Sequence, residues 1–445
     1  MTDIDLVVRA RRTLIGDEWQ PAAVAVRAGV IVTVAGIDAE LDAAEDVTLA
    51  DDEVLLPGVV DTHVHVNEPG RTEWEGFTSA TLAAAAGGTT TLLDMPLNSI
   101  PPTTTVEALL LKRTAAAPQV SMDVGFWGGA IPSSLGHLRE LHDAGVFGFK
   151  CFLSPSGVDE FPHLTRDQLR EAATEIAAFD GLLIVHAEDP DALLPHAGGS
   201  DYDDFVASRP DAAETDAIDA VIAAARDTGC RVHILHLSSA AALPAIRAAK
   251  ADGVRLTVET CPHYLTFDAA TIPDGATQYK CCPPVRDAAN REALWEALID
   301  GTIDLVASDH SPATAELKVG ADGDWARAWG GISGVQVMLA AVASGAAARD
   351  VPLADAAAWV TRRPAAFAGL TDKGSIEVGN RGDLVAFAPA ERWTVHAADL
   401  AHRNPVSAFD GHELTGRTRR TWLAGTQIFP ARADARRTGR LIERH

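Results

Sequence analysis

The sequence predicts an α/β protein: a closed (β/α)8 barrel of the TIM type, with a small β-sandwich domain built from both chain ends. Three observations predict it. From residue 54 to about 310, eight short, apolar, β-branched runs alternate with alanine-rich amphipathic segments. The flanks on either side show alternating apolar residues broken by turn formers. No glycine loop of the phosphate-binding kind is found, which favours a closed barrel over an open doubly wound sheet.

In chain order, the first flank (1–53) places apolar residues at Leu6 to Val8, Val24 to Val26 and Ile31 to Val34, with Gly16, Asp17 and Gly29 between them. The eight strand candidates are VLLPGVVDTHVHV, TTTLLDM, MDVGFWGG, VFGFKCF, LLIVHAE, RVHILHL, RLTVETCP and DLVASDH. Helices are expected between them, in GFTSATLAAAA, TTTVEALLLKRTAAA, LTRDQLREAATEIAAF, ETDAIDAVIAAARDTG and NREALWEALIDG. From about residue 372 the alternating style returns at Gly374 to Ile376, Gly382 to Phe387 and Thr421 to Gly425. The expected organisation is therefore a composite β-rich domain of 1–53 plus 372–445 around a barrel of 54–371.

A chain of 445 residues, 47% hydrophobic and 22% charged, has the composition of an ordinary soluble protein. No run of about 18 apolar residues appears. The start, MTDIDLVVRA, is acidic and polar where a signal peptide would be basic and then apolar, so a cytoplasmic location is expected. A formal net charge of −25 argues against nucleic acid and anionic membranes as partners. The five cysteines (Cys151, Cys230, Cys261, Cys281 and Cys282) lack CxxC spacing, so neither a disulfide framework nor a zinc ribbon is expected.

Chemistry in a barrel gathers at the C-terminal ends of its strands. His63 and His65 end the first strand and, two residues apart, share one face. Lys150 ends the fourth strand, His186 the fifth, His236 the sixth and Asp309 the eighth. Singly, each has a structural explanation, such as a histidine bonded to a carbonyl or an aspartate capping a turn. Jointly they read as a metal site. Four histidines and one aspartate suit two metals better than one, since a catalytic zinc takes about three protein ligands and a water. Lys150 supplies the missing ligand if its amine adds CO2; otherwise it is a lysine salt-bridged to a carboxylate.

The segments DTHVHVNEPG, MPLNS, GFKCF, IVHAE, ILHLSS, ETCPHYL, CCPPVR and SDHSP resemble the cyclic amidohydrolases of the dihydropyrimidinase, hydantoinase, dihydroorotase and allantoinase group over essentially the whole chain. The resemblance implies one metal at His63, His65 and Asp309, a second at His186 and His236, and an N6-carboxylated Lys150 bridging them. It implies two divalent ions, zinc foremost, with manganese, cobalt or iron as alternatives. It also implies a homotetramer. His233 is the rival of His236; the match to HLSS favours His236 and leaves His233 a core or supporting residue. The expected reaction is attack of an activated water on an amide carbonyl, with Asp309 as general base and then acid. His263 and His310 are either supporting groups or structural hydrogen-bond formers.

Substrate choice rests on where branches of the group differ. Dihydroorotases carry an arginine two residues beyond the second histidine; this chain has Asn67, which cannot grip a carboxylate bidentately. Hydantoinases and dihydropyrimidinases carry a tyrosine five residues after the lysine; this chain has Pro155. The run from Lys150 to Gly157, with MPLNS and the NEPGRTEWEGF loop, resembles the allantoinase branch, which implies conversion of allantoin to allantoate. The alternatives are a hydantoinase or dihydropyrimidinase activity and a non-catalytic scaffold of the same fold. Expected substrate contacts are Asn67, Asn98, Ser311 and backbone around Cys282. Glu68, Glu73 and Glu75 read as a solvated charged rim. Trp325 and Trp329, at helical spacing between glycines, read either as part of a lid or as one packed helix face.

Overall fold

The computed structural model describes residues 4–320, 322–431 and 438–444. The N-terminal flank forms β1 (Ile4–Ile15), β2 (Glu18–Arg27), β3 (Val30–Ala35) and β4 (Ala43–Thr48), followed by β5 (Val54–Pro57). The central region contributes β6 (Val59–Val64), β7 (Thr89–Asp94), β8 (Asp123–Phe126), β9 (Gly128–Gly129), β10 (Phe149–Phe152), β11 (Leu182–His186), β12 (Arg231–Ile234), β13 (Leu256–Thr260) and β14 (Leu305–Val306). The C-terminal flank adds β15 (Leu384–Thr394), β16 (Glu413–Leu423) and β17 (Thr426–Phe429).

The central strands form two parallel sheets, β6-β7-β8 and β14-β13-β12-β11-β10-β9, with helices between successive strands except β8 and β9. Trp127 alone separates β8 from β9: its amide donates to Asp94 O at 3.0 Å, while Gly128 N turns the other way to Gly148 O at 2.8 Å. At the opposite edges Val64 bridges His310 in parallel, and His65 N donates to His310 O at 2.8 Å. Every one of the eight expected runs contributes a strand. The last is the two-residue β14, and Asp309 beyond it stands at a φ of 43°.

Strands from both chain ends hydrogen-bond into one sheet of order β17-β16-β15-β5-β1-β2-β3, with β4 beside β1. Its core joins Leu6, Val8 and Val26 to Leu384, Ala386 and Trp422. Each large apolar side chain buried there contributes roughly 1.5–3 kcal/mol.

One expectation needs correction. The run VLLPGVVDTHVHV is two strands: β5 pairs antiparallel with β15 in the terminal sheet, and only β6 belongs to the parallel set. The break falls at Gly58, where a Cβ would sit 2.2 Å from Thr90 Oγ1, so only glycine permits the crossing. A buried ion triad also ties the two regions: Lys373 Nζ bonds Asp123 at 3.0 Å and Asp383 at 2.6 Å. Among the described residues no helix is long and apolar enough to cross a membrane, and all five cysteines are free.

Candidate metal centre and pocket

The six strand-end residues meet. His63 and His65 extend from β6 towards Asp309, with their Nε2 atoms 3.1 and 3.6 Å from Asp309 Oδ1. Lys150 Nζ lies 3.4 Å from His63 Nε2. His186 Nδ1 and His236 Nε2 are 3.0 Å apart, and the His63 and His236 ring centroids are 5.4 Å apart. All six are buried. His236 (φ 35°) and Asp309 (φ 43°) stand in the left-handed backbone region, a strain of order 1–3 kcal/mol each that proteins retain chiefly at working sites.

A second layer sets the protons. His63 Nδ1 lies 2.5 Å from Glu259 Oε1, and His65 Nδ1 is 3.1 Å from Leu97 O. These partners hold protons on the outer nitrogens and leave lone pairs on the inner ones. His186 Nε2 meets Glu188 Oε2 at 2.7 Å, and Arg209 grips that carboxylate bidentately at 2.9 and 2.6 Å. Burial holds His63, His65, His186 and His236 below the ordinary imidazole range, hence neutral. It also pushes the Lys150 ammonium down and the Asp309 carboxyl up. The donor set fits divalent cations: neutral imidazoles, those of His63, His65 and His186 with fixed tautomers and that of His236 with its Nδ1 unpartnered, a carboxylate, and a lysine that burial shifts towards its neutral form. His63, His65 and Asp309 bring three ligand atoms within 4.8 Å of one another.

Glu259, on β13, was not singled out from the sequence. It joins His63 to His233, whose Nε2 is 3.1 Å from Glu259 Oε2 and whose Nδ1 is 2.8 Å from Thr257 Oγ1. His233 therefore stands behind the site as a supporting residue, and His236 faces it. Only the ETCPHYL segment hinted at Glu259, because a carboxylate inside an apolar strand needs a partner.

A cavity of about 360 Å³ opens over the cluster, lined by His65, Lys150, His186, His236 and Asp309 on one side. Asn98, Pro155, Cys282, Ser311 and Trp329 are among the residues of its other walls. Asn67 does not line it. Its side chain bonds Pro312 O (3.3 Å) and accepts from Asn98 Nδ2 (3.1 Å), so it holds Asn98 in place. His310 turns away from the cavity, 3.3 Å from Glu75. His263 is buried beside Cys261 and Asp309, with its Nε2 unpartnered.

The acidic loop differs from a solvated rim. Glu75 is fully buried between His310 and Arg403, Glu68 accepts from the Phe77 amide at 2.9 Å, and only Glu73 is exposed. A helix N-terminus and a buried imidazole recruit the other two carboxylates. The Trp325–Trp329 segment consists of turns, so helical spacing does not apply. Trp325 is buried against Phe205 and donates to Ser200 O at 2.7 Å, whereas Trp329 packs edge-on to Trp74 at the cavity wall.

The Amidohydrolase family matches residues 54–428. A protein named allantoinase from Streptomyces avermitilis is 55% identical over 446 residues, covering 100% of both chains. An allantoinase from Arabidopsis thaliana is 42% identical over 427 residues, covering 91% of this chain and 84% of its own. Among solved structures, an L-hydantoinase (dihydropyrimidinase) from Arthrobacter aurescens superposes with a TM-score of 0.93 at 28% identity, covering 99% of this chain and 100% of that one. With the match extending from β5 into β17 and the strand-end cluster inside it, the chain belongs to the amidohydrolase family.

Proposed function

We propose that the chain hydrolyses the hydantoin ring of allantoin to allantoate at a binuclear metal centre held by His63, His65, Lys150, His186, His236 and Asp309. The observation that carries this reading is the convergence of those six buried groups, five of which line one cavity, in a chain 55% identical over its full length to an allantoinase. When bound, two divalent ions, zinc foremost and otherwise manganese, cobalt or iron, supply a Lewis acid for the amide carbonyl and lower the pKa of water.

The chain's own groups do the rest. Burial favours the neutral Lys150 amine, whose lone pair adds to CO2 and whose nitrogen then loses a proton, leaving an anionic N6-carboxylysine. Asp309, whose carboxylate burial makes more basic, takes the proton of the attacking water and returns it to the leaving ring nitrogen. Asn98, Ser311 and backbone around Cys282 line the cavity where a ureide's donors and acceptors would sit, and Asn67 secures Asn98.

We propose further that the parallel strands β6 to β14, drawn from eight runs, close into a barrel, supported by the Val64–His310 bridge. We propose with it a barrel of 58–371 and a composite domain of 1–57 plus 372–445, since β5 pairs in the terminal sheet, a β-sandwich arrangement of the latter, a homotetramer and a cytoplasmic location. A second reading, hydantoinase or dihydropyrimidinase activity, is favoured by the superposition on the L-hydantoinase. Against it, Pro155 occupies the cavity wall where those enzymes are expected to place tyrosine. Turnover of allantoin, hydantoin and dihydrouracil by one metal-analysed sample decides between them. Faster cleavage of either simpler ring overturns the allantoin assignment, and a metal-loaded sample inert to all three points to a scaffold.

A further inference from the structure

The cavity wall facing the metal residues is irregular backbone, in segments 280–282 and 326–331. Buried carbonyls in such a wall need donors that no strand or helix supplies. Lys318, 4% exposed on the short helix Ala315–Val319, provides them. Its Nζ donates to Lys280 O at 2.6 Å, Trp329 O at 2.9 Å and Gly331 O at 2.5 Å. These three bonds use all three ammonium protons, and none goes to a carboxylate. Lys280 reciprocates, its Nζ reaching Ala328 O at 2.6 Å. Gly331 N closes the stitch on Lys280 O at 2.8 Å.

We infer that Lys318 is a positioning residue for substrate binding: its buried ammonium, bonded to three wall carbonyls, fixes segments 280–282 and 326–331 against each other. This rests on the reaction proposed above. An ammonium buried without an anion is unfavourable unless dipoles surround it, and here the surrounding dipoles belong to the wall itself. Removing the ammonium leaves the buried Trp329 and Gly331 carbonyls unpaired and Lys280 O with only the Gly331 amide, so the wall must loosen.

The test uses the full-length, metal-loaded protein with Lys318→Met, which keeps the stem and loses the donors. Amide hydrogen exchange in 280–282 and 326–331 is expected to accelerate by about tenfold or more, the factor expected for loss of roughly one net hydrogen bond. KM for allantoin should rise about tenfold with kcat within about threefold, as for lost ground-state positioning. Metal content should not change. Wild-type exchange in both segments, or an unchanged KM, overturns the inference. Should Lys318→Met not fold, Lys280→Met removes the reciprocal bond, and unchanged exchange in 326–331 then overturns it. If the wild-type protein prefers another ring, the reaction assignment fails while the exchange measurement still decides the role of Lys318.

Discussion

Glu259 Oε1 sits 2.5 Å from His63 Nδ1 in a space that neither side chain shares with solvent. Burial pushes this carboxyl up to about 8, opposed by the His236 amide and the charge of Lys150. Nearby cations would act in the same direction as Lys150 and favour the carboxylate. Glu259→Gln keeps the shape and removes that charge, so metal affinity should fall about 10- to 100-fold, the usual cost of losing a ligand's orienting partner. Metal content after dialysis against a graded chelator checks this; wild-type retention would remove Glu259 from the site.

Lys150→Ala should lose metal and activity together, because the variant has no amine to carboxylate. A small carboxylic acid added in excess should restore part of both by standing in for the missing anion. Undiminished metal content in the variant would refute the bridging role.

Asn67 and Asn98 act as one unit, joined at 3.1 Å, with only Asn98 at the cavity. Each alanine substitution should raise KM about tenfold, for roughly 1–2 kcal/mol of lost positioning. The double variant should be little worse than either single one, since the second change removes an interaction already lost. Additive effects would show that Asn67 works independently of Asn98.

Burial pushes His233 and His263 down to about 3 and His402 to about 4, against 6.5 unfolded. The folded chain keeps these rings neutral, so their contribution is complete above about pH 6.5. As pH falls the unfolded state binds protons that the native state refuses, and each ring costs about 1.4 kcal/mol per pH unit until its folded pKa is reached. The ring proton resonances of His233, His263 and His402 should therefore keep their chemical shifts from pH 7.5 to 5.5. Titration of any of the three in that interval would mean that the ring is accessible to protons.

Much of the candidate site was legible because strand geometry is local. The spacing of His63 and His65 puts both on one face, and apolar runs ending in His186, His236 and Asp309 name strand ends without knowledge of the neighbours. Glu259 and Lys318 were not legible. Each is a charged residue whose role depends on what stands opposite: for Glu259 the imidazoles of β6 and β12, for Lys318 three carbonyls of irregular loops on either side of its own helix.

By itself the sequence determined the alternation of strand and helix, the strand-rich flanks and the six groups suited to metal, since periodicity and side-chain chemistry are properties of short segments. Only the tertiary structure decided that the first apolar run divides at Gly58, that Asn67 serves Asn98, that Glu75 is buried, and that a lysine without a carboxylate partner stitches the cavity wall. The reason is physical: close approach of backbones, burial of charge and the pairing of orphan carbonyls are set by distances between residues remote in sequence, which no local pattern encodes.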